Sequence, residues 1–149
     1  MAILRERIQS ELHAAMRAHD ETRKSTLRML TAAVRNADIE TRAELDDAAI
    51  TAVIQKQAKQ RRESIAEFER GGRQDLVAIE QSELAILQEY LPEPASREDV
   101  EAAARAAIVE TGAAGPRDIG KVMPLLSKQF AGRADGRLIS EIVRALLGP

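Results

Sequence analysis

The chain has 149 residues, 44% hydrophobic and 31% charged, with a formal net charge of −2. That length suits one ordinary domain or two small ones. The absence of cysteine excludes disulfides, thiolate metal sites and a Cys nucleophile, and aromatics at 2% leave little to stack nucleic-acid bases on. The mean charge hides an asymmetry: residues 1–94 carry 14 Lys/Arg against 17 Asp/Glu, whereas residues 112–149 carry 6 against 3. A polyanion is expected to meet the C-terminal end first. Charges in M-A-I-L-R-E-R stand where a signal peptide needs an apolar run, and no stretch approaches the roughly 20 apolar residues of a membrane span. The expectation is a soluble, cytoplasmic protein without a membrane partner.

The pattern is helical almost throughout. Leu4, Ile8, Leu12 and Met16 recur every fourth residue and predict one face of a first helix. Asp20 is a candidate cap for the second, with Glu21 in its first turn and Leu27, Leu30, Val34 and Ala37 as its buried stripe. Glu40 to Leu45 reads as a loop. Asp46 then caps a long third helix with Ile50, Val53, Ile54, Ala58, Ile65 and Phe68 inward, and Gly71-Gly72 stops it. A fourth helix is expected from about Asp75 to Tyr90, with Leu76, Ile79, Leu84 and Leu87 apolar.

Leu91-Pro92-Glu93-Pro94 cannot continue a helix, because both prolines lack the N–H and restrict the residue before them. A domain boundary is expected there, between a bundle over 1–92 and a tail over 95–149. Ser96 with Asp99 resembles a capping box opening an alanine-rich fifth helix that stops near Gly112. Pro116 suits the first turn of a sixth, with Ile119, Val122, Met123, Leu126 and Phe130 inward. Pro124 inside that pattern predicts a kink or a split into two pieces. Asp135 is a plausible cap for the last helix, amphipathic from Leu138 to Leu147. The fold class is therefore all-α: about four helices in an N-terminal bundle, followed by a small three-helix domain.

The loop Gly132–Arg137, G-R-A-D-G-R, combines glycines and arginines ahead of a helix. It reads either as an anion site, with Arg133 and Arg137 pairing phosphates beside helix N–H groups, or as a glycine-assisted turn with solvated arginines. Lys121 and Lys128, seven apart, share a helical face if Pro124 allows it. Lys56, Lys59 and Arg62 project from one side of the third helix. They form either a second basic surface or a solvated face in which Lys59 and Arg62 pair with Glu63 and Glu67. Catalytic constellations are poor. His13 and His19 lie nearly opposite on a helix. Glu80 and Glu83 read as a solvated edge, Ser64 has no base placed by sequence, and there is no P-loop or dinucleotide-binding glycine fingerprint. No catalytic residue, metal or cofactor is assigned.

Several short strings carry a resemblance in their order and spacing: R-M-L (Arg28 to Leu30), R-R-E-S-I with Phe68 after it, Gly72-Arg73, Y-L-P (Tyr90 to Pro92), D-I-G-K-V-M (Asp118 to Met123) and G-R-A-D-G-R-L-I. The chain resembles the GatB/YqeY family over nearly its whole length. That family joins small stand-alone proteins to the tail of GatB, the tRNA-binding subunit of the glutamine-dependent tRNA amidotransferase. The resemblance implies tRNA as partner and the tail cations Lys121, Arg133 and Arg137 as its contacts. It carries over no catalytic residue. What it implies is a tRNA-binding accessory. The alternatives are a component of a carbon–nitrogen ligase with glutamine as amido-N donor, acting with an amidotransferase or tRNA-synthetase partner, and a protein-interaction module using the first two helices.

Overall fold

In a computed structural model, which describes residues 2–149, the chain forms seven α-helices and one 3-10 turn. The helices are α1 (Ile3–Arg17), α2 (Glu21–Thr41), α3 (Asp47–Arg70), α4 (Gln74–Gln88), α5 (Arg97–Thr111), α6 (Ile119–Gln129) and α7 (Gly136–Leu147), with the turn at Pro116–Asp118. The fold is all-α, as the periodicity predicts. Contacts divide it into two compact units, residues 1–91 and 92–149.

In the first unit α1 packs on α2, and α3 on α4. Ile8, Leu27, Leu30, Ile50, Ile54 and Leu87 form the heart of the core. Asp20 caps α2 by accepting the Arg23 N–H at 3.1 Å, and Asp46 caps α3 by accepting the Ala49 N–H at 2.8 Å. The start of α1 has no side-chain cap of its own. Asp47, from the first turn of α3, accepts the Leu4 N–H at 3.0 Å and satisfies one of its free donors. Asp38 ties three segments. It accepts both terminal nitrogens of Arg5, at 3.0 and 2.9 Å, and the Leu45 N–H at 2.9 Å. These partners, Arg5 first and Leu45 second, hold the Asp38 carboxyl below its ordinary range.

Several expectations are corrected in this unit. Met16 is exposed, and its neighbour Ala15 takes the buried place. α2 runs through Glu40 to Thr41, ending at Arg42 in the left-handed region, so the loop is shorter than expected. On α4, Ile79 is 53% exposed while Val77 and Ile86 are buried. Glu80 and Glu83 are not a solvated edge. Both face α3, where Arg61 reaches Glu80 at 3.0 Å and also pairs with Glu83. The inward face of α4 therefore carries two charges, which an apolar period cannot reveal. Gly72, at φ 69°, ends α3 as a residue free of Cβ strain.

The second unit is a three-helix arrangement in which α5, α6 and α7 all pack on one another. Val100, Ala104, Val122, Leu126, Ile142 and Val143 close its core around Phe130. The alanines of α5 present small side chains to their neighbours, so α6 and α7 supply most of the volume. Ser96 and Asp99 form a reciprocal capping box. Gly112, at φ 71°, ends α5. Pro116 lies in the 3-10 turn ahead of α6 rather than in α6 itself. Pro124 does not split α6, which runs continuously from Ile119 to Gln129. Pro124 is the sixth residue of α6, so the hydrogen bond it removes is the one to the Gly120 carbonyl in the first turn.

Candidate nucleic-acid interface

The tail loop is built by backbone hydrogen bonds from the end of α6. Gly132 turns the chain at φ 81°. The Arg133 and Ala134 N–H groups both donate to the Phe130 carbonyl, at 2.8 and 3.1 Å. The Ala95 N–H donates to the Arg133 carbonyl at 2.8 Å, which fastens the loop to the segment that opens this unit. The Arg133 guanidinium lies 5.8 Å from the centre of the Phe130 ring, and its Nε donates to the Glu93 carbonyl at 3.4 Å. The guanidinium thus lies over a buried ring while the residue as a whole stays exposed. Arg137 and Lys128 are exposed too. Among the described residues, none of these three cations forms an ion pair.

The backbone half of the anion site is different. Asp135 caps α7 and accepts the Arg137 N–H at 3.1 Å. A carboxylate already occupies the helix N-terminus and would oppose a phosphate there. What the loop offers an anion is side-chain charge, not a cradle of N–H groups. Lys121 is also partly engaged, 3.3 Å from Asp118. Asp118 accepts the Ala114 N–H at 2.9 Å, and that bond, then Lys121, holds its carboxyl below the ordinary range. The D-I-G-K string thus fastens the 3-10 turn to α6.

In the first unit Lys56, Lys59 and Arg62 are exposed along α3. The pairs of Lys59 and Arg62 with Glu63 and Glu67 do not form; Glu67 is taken by Arg70 at 2.6 Å. Arg61, one residue from this run, is 8% exposed and points into the unit. Sequence reasoning overlooked it, though the signal was present. Ile54, Ala58 and Arg61 follow at i, i+4 and i+7, which places a cation on the apolar stripe, and the next helix carries two acids three apart.

A second cluster joins α1, α2 and the end of α4. The buried Tyr90 donates its hydroxyl to Glu11, and the Arg7 guanidinium sits 4.5 Å from its ring centre. Burial, then the Glu11 bond, pushes the Tyr90 hydroxyl above its ordinary pKa. Arg23 grips Glu89 with two hydrogen bonds, at 2.7 and 3.1 Å. That bond raises the Arg23 pKa and lowers that of Glu89. His19 holds the turn between α1 and α2 at φ 56°, and both histidines are exposed. Among the described residues no group of three or more His, Asp or Glu is placed to hold a metal.

The sequence profile of the family described as Yqey-like protein matches residues 5–147. The chain belongs to the YqeY-like family. Several relatives share one name, "Altered inheritance of mitochondria protein 41, mitochondrial". The one from Pyrenophora tritici-repentis is 32% identical over 145 residues, covering 95% of this chain and 80% of its own. Those from Eremothecium gossypii and Kluyveromyces lactis are 41% and 39% identical, over 56% and 64% of this chain. The matches span only 46% and 53% of those two proteins, about half their length.

In this YqeY-like chain the family strings of the first unit largely hold the fold. Leu30 and Tyr90 are buried, Arg61 is paired inward, and Met29 offers its sulfur to Arg61 at 3.6 Å. The cytoplasmic expectation is corrected by the relatives, which are named as mitochondrial proteins. That expectation rests on the charges in M-A-I-L-R-E-R and on the lack of a long apolar run. No helix among the described residues is long and apolar enough to cross a membrane, but that property does not distinguish one aqueous compartment from another.

Proposed function

We propose that this chain is a tRNA-binding accessory protein without a catalytic centre of its own, and that Arg133, Arg137 and Lys128 of the tail are its principal contacts. The observation that carries the reading is electrostatic. These cations stand exposed with no carboxylate partner, in a segment where Lys/Arg exceed Asp/Glu by 6 to 3. The resemblance of the tail strings to GatB supports tRNA as the polyanion. Two features favour recognition through phosphates and helix shape: the scarcity of aromatics and the side-chain character of the cationic surface. Lys56, Lys59 and Arg62 add a second exposed stripe for backbone contact.

Filter binding of tRNA over a range of salt concentrations tests this. Arg133→Ala with Arg137→Ala is expected to weaken binding and to flatten the slope of log affinity against log salt by roughly 1.4–1.8, one counterion step per lost phosphate contact. An unchanged affinity and slope would remove the loop from the proposal. The same measurement on Lys56→Ala, Lys59→Ala and Arg62→Ala together separates the α3 stripe from the tail.

A further inference from the structure

The outer face of α2 carries a feature that neither the core nor the tail reading uses. An open groove of about 420 Å³ lies along it. Leu12 of α1 and Ala32 and Ile39 of α2 give it an apolar lining, and Arg28, Arg35 and Asn36 give it polar edges. Ile39 is 73% exposed at the end of this groove. Ala32 leaves room for another backbone to come close. Arg28 and Arg35 are seven residues apart, so they project from one side of the helix about 10 Å apart along its axis.

Neither arginine has an ion pair or a side-chain hydrogen bond among the described residues. Their neighbours on the same helix do: Arg23 holds Glu89 and Lys24 holds Glu21. Acids outnumber cations 17 to 14 over residues 1–94, yet no Asp or Glu lines the groove. Two cations without an ion pair thus stand on one side of α2, beside an apolar strip.

We infer that this groove docks an acidic amphipathic helix from a partner protein. Carboxylates seven residues apart on the incoming helix meet Arg28 and Arg35. Its apolar residues, at helical spacing, cover Ala32 between the two arginines and Leu12 and Ile39 beside them. Charge complementarity chooses this occupant. A second copy of the chain laid on the same face would cover the apolar strip but set arginines against arginines, with no carboxylate in the lining to offset them. RNA phosphates would satisfy the cations but leave Ile39 and Leu12 wet, with no aromatic in the groove lining to take a base. The inference does not depend on the tail contacting RNA.

The test uses the full chain and three probes. One is a synthetic 15-residue helix with leucines along one face and glutamates seven apart beside them. The second is the same peptide with lysines in place of the glutamates, and the third is a 15-nucleotide RNA. Binding is followed by fluorescence anisotropy and mapped by backbone amide shifts. The acidic peptide is expected to bind, to move amides between Arg28 and Ile39, and to weaken as salt is raised. Arg28→Glu with Arg35→Glu is expected to cut its affinity at least about tenfold, the scale of a single lost charge pair at an interface, and to switch preference to the lysine peptide. Ala32→Arg, which fills the groove while adding positive charge, is expected to block binding as well. Circular dichroism checks that each variant is folded. Four results would overturn the inference: equal binding of the two peptides, no binding of either at millimolar concentration, larger α2 shifts with RNA than with peptide, or a dimer in sedimentation that the double variant dissolves. None of these bears on the Arg133 and Arg137 measurement, so the two readings fail separately.

Discussion

In residues 2–91, Arg5, Arg23 and Arg61 each reach a carboxylate on another segment of the unit: Asp38, Glu89, and the Glu80–Glu83 pair. In residues 92–149, Arg133, Arg137 and Arg144 reach none among the described residues, and the only cross-helix pair is Arg97 with Glu141 at 3.6 Å. The first unit therefore uses three of its guanidinium groups as ties between its helices. The second closes its core with aliphatic packing around one aromatic ring and leaves Arg133, Arg137, Arg144 and Lys128 without an ion pair among the described residues. Equal residue types thus serve different ends, and what separates them is whether a carboxylate stands opposite on a neighbouring element. A guanidinium matched to a carboxylate in a partly buried site holds geometry, whereas an exposed, unmatched one is available to an outside anion.

The strongest way to break this contrast is through the tail's core. Phe130 is 3% exposed, and Phe130→Ala is expected to cost about 3–5 kcal/mol. That is comparable to the whole stability of a unit this small. Urea unfolding followed by amide exchange should show residues 92–149 melting while residues 2–91 remain protected. A single transition that takes both units down together would show that packing in the tail is not a separate affair.

Arg61→Ala tests the ties. It strands two inward-facing carboxylates against α3, and breaking such a pair costs roughly 3 kcal/mol or somewhat more when the partners stay desolvated. The side chains of Glu80 and Glu83 keep 20% and 14% exposure, so some water relief will place the loss at the lower end. Adding Glu80→Gln and Glu83→Gln to Arg61→Met should recover much of it, since no buried charge then remains. Failure of that rescue in denaturant melts would mean that the cluster acts through shape and not through charge.

Acid titration sharpens the comparison more gently. Asp38 and Glu89 have lowered carboxyl pKa values, through Arg5 and Arg23 respectively. A carboxyl whose folded value lies below its unfolded value contributes stability that is fully present above the unfolded value. That stability is lost as pH falls through the folded value. Thermal melts of the first unit should therefore be level near neutrality and decline below about pH 4, the ordinary carboxylate range. Arg23→Gln should reduce the decline. Smallest of all, Ser96→Ala removes the capping box of α5 and is expected to cost about 1 kcal/mol in the tail alone.

The sequence by itself determined the all-helical class, most helix ends and much of each helix's apolar stripe. These are local properties: the period of Ile50, Ile54 and Ala58, the caps at Asp20, Asp46, Ser96 and Asp135, and the left-handed glycines Gly72 and Gly112. It also marked the exposed candidates Arg133 and Arg137. Tertiary structure alone decided which charges are spent. Arg61 and Arg62 are adjacent in the chain and identical in chemistry, yet one is held by Glu80 and Glu83 and the other faces water. Asp47 caps a helix 43 residues away, and Glu89 closes on Arg23 across 66. Periodicity reports which side of a helix is apolar. It carries no information on what stands opposite a charge, because that depends on how elements distant in sequence are brought together in space.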